Sequence, residues 1–398
     1  MSVSVWSGST LAWERELSDL KMRLGSVIGR KELRETLSAF IDGLLSGVSR
    51  KTGWLMAEQA GLDRPWRMQA LLGRSHWDAD ALRDEVRRYA LDALADPSGV
   101  LIIDETGFVK KGTHSVGVGR QYSGTAGRIE NSQIGVFMAY ASRYGHTLID
   151  RQLYLPDAWA KDEARRSQAK VPPEAAFATK PAMAREMITR ALDAGVPCAW
   201  VLADSVYGSD SQTRRLLESR DQPYVLAVRS NHTLRFVTDE GLLQTDPAEL
   251  AEDLPAEEWH VHAAGEGAKG LRIYEWARIS MTSTRPGYHT WVLVRRSRSD
   301  PKALAYYFAF APEATSLAEL AGAAGLRWAI EECFQRSKDD LGLDHCEARS
   351  WHGWHRHMTL VMATAAFLAK LTAQLRRAQS EIDAGKANER SPTSASAA

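Results

Sequence analysis

The stretch "LIIDETGFVKKG" (residues 101–112) decides the fold. Leu101, Ile102 and Ile103 form a continuous apolar run, the pattern of a strand buried on both faces. Asp104 and Glu105 follow at once, then a glycine and the lysines Lys110 and Lys111. Two readings fit this stretch alone. Strands commonly end in acidic turn residues. Alternatively, the strand delivers a carboxylate to a site at the sheet edge, next to lysines that meet a polyanion.

Working outward, "CAWVLADSVYG" (198–208) repeats the arrangement, with an apolar strand running into Asp204 and a glycine-containing turn. Between the two lie further strand-like runs, "SVGVGRQYSG" (115–124), "SQIGVFMAYAS" (132–142) and "TLIDRQLYLP" (147–156), separated by the breaks "GTAGRIEN" and "RYGH". They predict a meander of antiparallel strands. The run "GTAG" (124–127) lacks the lysine-serine/threonine ending of a phosphate-binding loop and reads as a hairpin or DNA-facing turn. "AMAREMITRALDAG" (182–195) is helical with Gly195 as its stop, "SQTRRLLESR" (211–220) is helical, and "PYVLAVRS" (223–230) is a further strand. Together these give an α/β plan with a mixed sheet.

Residues 1–98 read as helical, with apolar positions three and four apart in "ELSDLKMRLGSVIG", "KELRETLSAFIDGLLSGV" and "DALRDEVRRYALDALA". Within them, "WLMAEQAGLDRPWRMQALLGR" (54–74) has a helix-turn-helix layout flanked by Arg64, Arg67 and Arg74. Residues 99–230 form the first part of the α/β core. Residues 231–320 read as a mostly β insertion, and residues 321–380 complete the core with two helices. Residues 381–398 are poor in apolar groups and read as a disordered tail.

Lys plus Arg and Asp plus Glu are equal, 50 each, so total charge says nothing about a partner. Distribution says more. Two stretches, Thr106–Ile129 and Ala348–Arg377, are basic and free of acids, which favours a polyanionic partner. Three scattered cysteines fit reduced thiols in a cytoplasmic protein. No run of about 18 apolar residues predicts a membrane span. Cys346 with His352, His355 and His357 matches no paired-cysteine zinc spacing, and these histidines are expected at a surface or beside a DNA backbone. Most tryptophans are expected in the core. Trp291 is a candidate platform for an unstacked base, although a core position fits it better.

Aspartates at the ends of neighbouring strands repel each other unless a cation holds them. Magnesium takes hard oxygen ligands from carboxylates and phosphates. A third ligand is offered by "LRWAIEECFQRSK" (326–338), where Arg327, Glu331 and Lys338 share one helical face. The same face could equally be a surface ladder of ion pairs.

As a set, these residues resemble the catalytic triad of DDE-type insertion-sequence transposases. Arg327, three residues, Glu331, six residues, Lys338 resembles their tyrosine–arginine–glutamate–lysine signature, with Ala324 standing where the tyrosine falls. The phrases "IDETGFVKKG", "GVGRQYSGTAGRIENSQIGVF" and "DSVYG" look like insertion-sequence family 701, over roughly residues 20–370. The resemblance implies an RNase H-like core with a β insertion before the glutamate, preceded by a helical DNA-binding domain. It implies Asp104, Asp204 and Glu331 as ligands of two magnesium ions, with manganese as a substitute. Lys110, Lys111, Arg120, Arg327 and Lys338 then contact DNA, and Glu105 has a supporting role. The expected activity is cleavage at terminal inverted repeats and joining of 3′ ends to target DNA, by a homodimer on double-stranded DNA in a bacterial cytoplasm. The alternatives are an endonuclease without strand transfer and a catalytically silent DNA-binding derivative. The presence of all three carboxylates argues against the second.

Overall fold

The computed structural model describes residues 3–389 apart from 125, 239–240, 268–269 and 282–284. Five helices open the chain: α1 (Val3–Ile28), α2 (Lys31–Leu45), α3 (Gly53–Gln59), α4 (Trp66–Gly73) and α5 (Ala79–Leu94). Asp78 caps α5, its carboxylate accepting from the Asp80 and Ala81 amides. Strands β1 (Val100–Val109), β2 (Gly119–Ser123), β3 (Arg128–Ser142) and β4 (Gly145–Leu153) follow. Next come α6 (Asp157–Ala160), α7 (Glu163–Gln168), α8 (Lys180–Asp193), β5 (Trp200–Ala203), α9 (Ser205–Gly208), α10 (Ser211–Ser219) and β6 (Tyr224–Val228).

The central strand is β1. It pairs antiparallel with β3 and parallel with β5, and β5 pairs parallel with β6. Val100 to Ile103 are fully buried, as their unbroken apolar run predicts. The strands are not the expected meander, because pairing does not follow chain order. β3 is long enough to take two partners on its other edge: β2 along residues 128–132 and β4 along 135–142. The β2–β3 hairpin turns through Gly124 and Gly127, within the segment read as a turn, and Thr125 lies outside the described residues.

The insertion is β-rich, as expected, but it is no separate layer. After the hairpin β7 (Leu234–Thr238) and β8 (Gly241–Thr245) and the helix α11 (Pro247–Glu252), the strands β9 (His260–Gly267), β10 (Gly270–Met281), β11 (Tyr288–Arg296) and β12 (Leu304–Pro312) extend the core sheet. β12 pairs with β6, and the order runs on through β11 and β10 to β9. The result is a mixed sheet of ten strands among the described residues.

The chain ends in α12 (Leu317–Gly325), a 3₁₀ turn (Leu326–Trp328), α13 (Ala329–Asp339) and α14 (Trp351–Glu389). Contrary to the sequence expectation, α14 is long and apolar enough, by length and composition, to cross a membrane. It is instead the core helix: it lies against α5 and β4, and Met358, Val361, Met362 and Phe367 are fully buried. It also joins the N-terminal helices to the sheet in one continuous apolar cluster. The helix continues past Glu381, where a tail is expected to begin, and residues 390–398 lie outside the described residues.

Candidate active site

The register of the parallel pair sets the site. Ile103 of β1 is level with Ala203 of β5, so the next residues, Asp104 and Asp204, leave the shared level together. Asp104 stays in strand β1, opposite Phe137. Asp204 caps α9, its Oδ1 accepting from the Val206 amide at 2.9 Å. Gly208 closes "DSVYG" because a side chain there would lie 2.0 Å from the Ala227 carbonyl oxygen of β6. Tyr207 of the same motif is buried and donates its hydroxyl to Glu105 at 2.5 Å. Lys180 at the start of α8 donates to the other Glu105 oxygen at 2.6 Å. Glu105 is thus tied up on the opposite face of β1 from Asp104.

The third acid arrives on α13, but Arg327 is not part of that helix. It sits in the 3₁₀ turn before it. One guanidinium nitrogen of Arg327 donates to Asp104 Oδ2 at 3.1 Å, and the other donates to Glu331 Oε1 at 3.0 Å. Lys338 donates to Thr106 Oγ1 at 2.7 Å. The turn and α13 therefore lie along β1, with Arg327 at Asp104 and Lys338 at Thr106. Glu332 lies 3.3 Å from His146 Nε2 of β4.

Burial first, and then the Asp204 carboxylate, push the Asp104 carboxyl up to about 7, against the pull of Arg327. Asp204 is raised by burial and by Glu105. Both acids sit in a place that disfavours their own charge. A groove of about 1270 Å³ opens beside them, with Asp204 and Arg327 in its wall together with Arg272, Arg295, Tyr274 and Tyr307.

Residues 23–281 match the model of the DDE superfamily endonuclease family. The chain belongs to that family. It is also similar to a probable transposase for insertion sequence element IS701 from Microchaete diplosiphon, with 28% identity over 305 residues, 75% of this chain and 73% of that one. The family match takes in Asp104 and Asp204 and ends before α12. Assignment of the third acid in this DDE chain therefore rests on the Arg327 bridge.

Enzymes of the DDE superfamily depend on a divalent metal, and the donor set here suits one. Among the described residues, no three acid, histidine or cysteine side chains converge into a ready-made metal cluster. Asp104 and Glu331 share a cationic group, the Arg327 guanidinium. Hard carboxylate oxygens arranged around a positive charge, with Asp204 alongside, form the chemistry that magnesium prefers.

The remaining expectations divide. Lys111 and Arg120 are exposed, whereas the Lys110 ammonium donates to the Cys346 carbonyl at 2.7 Å and fastens its loop. On the β2–β3 hairpin, Tyr122 and Ile129 face each other across the strands and are 63% and 58% exposed, on the same face as Arg120. The second basic stretch is a correction. Arg356 is buried and donates to the carbonyls of Leu72 and Trp77, His355 and His357 are buried, and Lys370 pairs with Glu16 at 2.8 Å. Only His352 of the three histidines is exposed. Part of this stretch is internal because α14 is the core helix, and Arg356 and Lys370 there satisfy backbone carbonyls and an acid of the N-terminal region, whereas Arg349, Arg376 and Arg377 are exposed. Trp291 is buried, in its expected core position. Sequence reasoning missed Lys180, which carries no local signal, and Tyr207, which stands inside a motif already singled out.

Proposed function

We propose that the protein is an insertion-sequence transposase that cuts DNA at its element's terminal inverted repeats and joins the 3′ ends to a target. The observation that carries this reading is the pair Asp104 and Asp204 at one level of two parallel strands, with Glu331 brought in through Arg327. The strand order β4-β3-β1-β5-β6, antiparallel on one side of β1 and parallel on the other, fits an RNase H-like core. Asp104, Asp204 and Glu331 are the residues that would hold magnesium, or manganese in its place. When bound, the metal lowers the pKa of the attacking water or 3′-hydroxyl and stabilises the leaving oxygen.

The chain's own groups do the rest. Asp104, on the central strand, would hold the metal together with Asp204 and Glu331. Glu105, held by Lys180 and Tyr207, fixes β1 where Asp104 leaves it. Lys111 and Arg120 grip phosphates, Lys110 adds charge at the base of that loop, and Arg327 and Lys338 supply positive charge along the acid site. The helices α3 and α4, with Arg64, Arg67 and Arg74 exposed, are the end-reading element. Two ends must be held together, which a homodimer achieves by symmetry.

A strand-transfer assay tests this. A pre-cut duplex end, a target plasmid and magnesium should yield joined products, absent with the Asp104→Ala protein. Nicked plasmid without joined product would instead favour an endonuclease. End recognition is tested by Arg64→Ala and Arg67→Ala, since removing the N-terminal helices altogether would strip α5 from the core helix α14.

A further inference from the structure

Resting on the metal-ligand reading of Asp104 and Glu331, we propose that Arg327 is the resident counter-cation of the acid site. It leaves those carboxylates when the metal is loaded and turns into the adjacent groove to hold the DNA backbone.

Asp104 and Glu331 make their ion pairs, among the described residues, with this one guanidinium, at 3.1 and 3.0 Å. A divalent ion would take those same oxygens at about 2.1 Å. The guanidinium and the ion repel each other, and an ion held by both acids would compete with Arg327 for Asp104 Oδ2 and Glu331 Oε1. Loading is therefore an exchange and not an addition.

The backbone around Arg327 confines the exchange to its side chain. Gly325 is packed so closely on β9 that a Cβ there would lie 1.9 Å from the Ala264 carbonyl oxygen. Arg272 donates to the Gly325 carbonyl at 3.0 Å. The turn is thus pinned on one side by the sheet extension, and on the other it continues into α13. What can move is the long, flexible stem of Arg327.

Its second destination is already built. Arg327 lines the groove of about 1270 Å³ that also contains Arg272, Arg295 and Arg336. A guanidinium rotated into that wall joins three other arginines on a surface of mixed charge, which also carries Asp204, Glu332, Asp339 and Asp340, and the arginine forks are its phosphate-binding groups. The exchange couples two ligands. DNA draws Arg327 out and favours metal, and metal drives Arg327 out and favours DNA. Such coupling is reciprocal in equilibrium binding. One residue 223 positions away from Asp104 in the chain thus makes the acid site responsive to the substrate.

The test uses the full-length protein and manganese chloride, titrated by calorimetry with and without a random-sequence duplex of about 40 base pairs, long enough to span several helical turns and bound through its phosphates. The wild-type protein should bind manganese more tightly when the duplex is present. Arg327→Gln should bind manganese at least about tenfold more tightly without DNA, since a competing unit charge at contact distance is gone. It should lose the effect of DNA on manganese affinity and melt at a lower temperature in chelator. Arg327→Lys, which keeps the charge but not the two-pronged fork, should fall between. An Arg327→Gln protein that remains folded and binds manganese no more tightly than wild type overturns the exchange. The companion variant Asp104→Asn separates the two levels. If it abolishes manganese binding while Arg327→Gln changes nothing, the exchange alone falls. If neither variant alters manganese binding, the metal-ligand reading falls with it.

Discussion

The molecule contains two ionic clusters built from similar parts, and their charge balance differs. At the active site, the carboxylates Asp104, Glu105, Asp204 and Glu331 meet two bonded cations, Arg327 and Lys180. Where α5 meets β4 and α8, the carboxylates Asp80, Asp84 and Asp150 meet Arg83, Arg87, Arg151 and Arg190. In the first cluster Asp104 is pushed up to about 7. In the second, desolvation is outweighed by Arg151 and Arg83, which hold the Asp80 carboxyl at about 2 even though its side chain is 64% exposed. The second cluster, with four cations for three acids, fastens the N-terminal helices to the sheet. The first has two more acids than bonded cations, and that surplus favours an added cation.

Two aspartates bring out the contrast most strongly. Asp104→Ala should reduce DNA cleavage by at least about a thousandfold, the scale on which one transition-state-stabilising group acts. Binding of duplex DNA should persist, since it rests on basic groups, and stability in chelator should hold or rise as repulsion is relieved. Asp150→Ala should do the reverse. Asp150 is fully buried, 2.9 Å from Arg190 and 3.6 Å from the buried Arg83. Leaving such partners uncompensated costs about 3–5 kcal/mol. Urea melts and plasmid nicking read both effects. An Asp150→Ala protein of wild-type stability would make the junction as dispensable as a surface ladder.

Acidity separates the regions next. Asp104 ionises at 3.8 when exposed and at about 7 when folded, so the folded chain holds that proton more tightly. Its stabilising contribution is complete below about pH 4 and lost as pH rises through 7, with a ceiling of about 4 kcal/mol from some three units at ~1.36 each. His355 and His357 act in the opposite direction. Burial holds them neutral, with pKa values of about 3 and about 4 in place of 6.5. Their contribution is present above pH 6.5 and is lost as pH falls below it. The Asp104 loss spans about pH 4 to 7, where the two histidines act with the opposite sign, so melting temperatures in chelator should fall below about pH 6.5 less steeply than the histidines alone would make them and level off above about pH 7. Asp104→Asn should remove that opposition and make the fall between about pH 6.5 and 4 steeper; an unchanged acid limb would remove Asp104 as a contributor.

What sequence could reveal follows from the range of the interactions. β1 and β5 were legible because a buried parallel strand is a local apolar run, and Asp104 and Asp204 were legible as the residues that end those runs. The meander was misread because β3 takes β2 and β4 on one edge, a choice made by length and register and not by chain order. The sheet extension was invisible because the pairing of β12 with β6 joins residues about eighty apart along the chain. The basic character of residues 348–377 was real but only partly outward: Arg349, Arg376 and Arg377 are exposed, whereas Arg356 and Lys370 turn inward. Composition counts charges, and only packing shows that Arg356 serves the carbonyls of Leu72 and Trp77. For the same reason the four-residue spacing of Arg327 and Glu331 was legible, while the 3₁₀ turn that holds Arg327 and its bridge to Asp104 were not.

The smallest expected effect sharpens the comparison between the two basic stretches. Affinity for duplex DNA falls with salt in proportion to the number of phosphates neutralised, with a slope of about −0.9 per contact. Arg120 is exposed on the β2–β3 hairpin, beside the exposed pair Tyr122 and Ile129. Lys370 is spoken for: its ammonium lies 2.8 Å from Glu16 and 3.7 Å from Asp19, with 12% of the side chain exposed. Arg120→Ala should therefore make the salt slope shallower by about one contact and weaken binding to all sequences alike. Lys370→Ala should leave the slope unchanged and instead lower stability, because two acids of α1 lose their cation. Both slopes can be read from fluorescence anisotropy over a salt series with the same duplex. If Lys370→Ala changed the slope and Arg120→Ala did not, the DNA face would lie along α14 and the hairpin would be a surface for something other than phosphate.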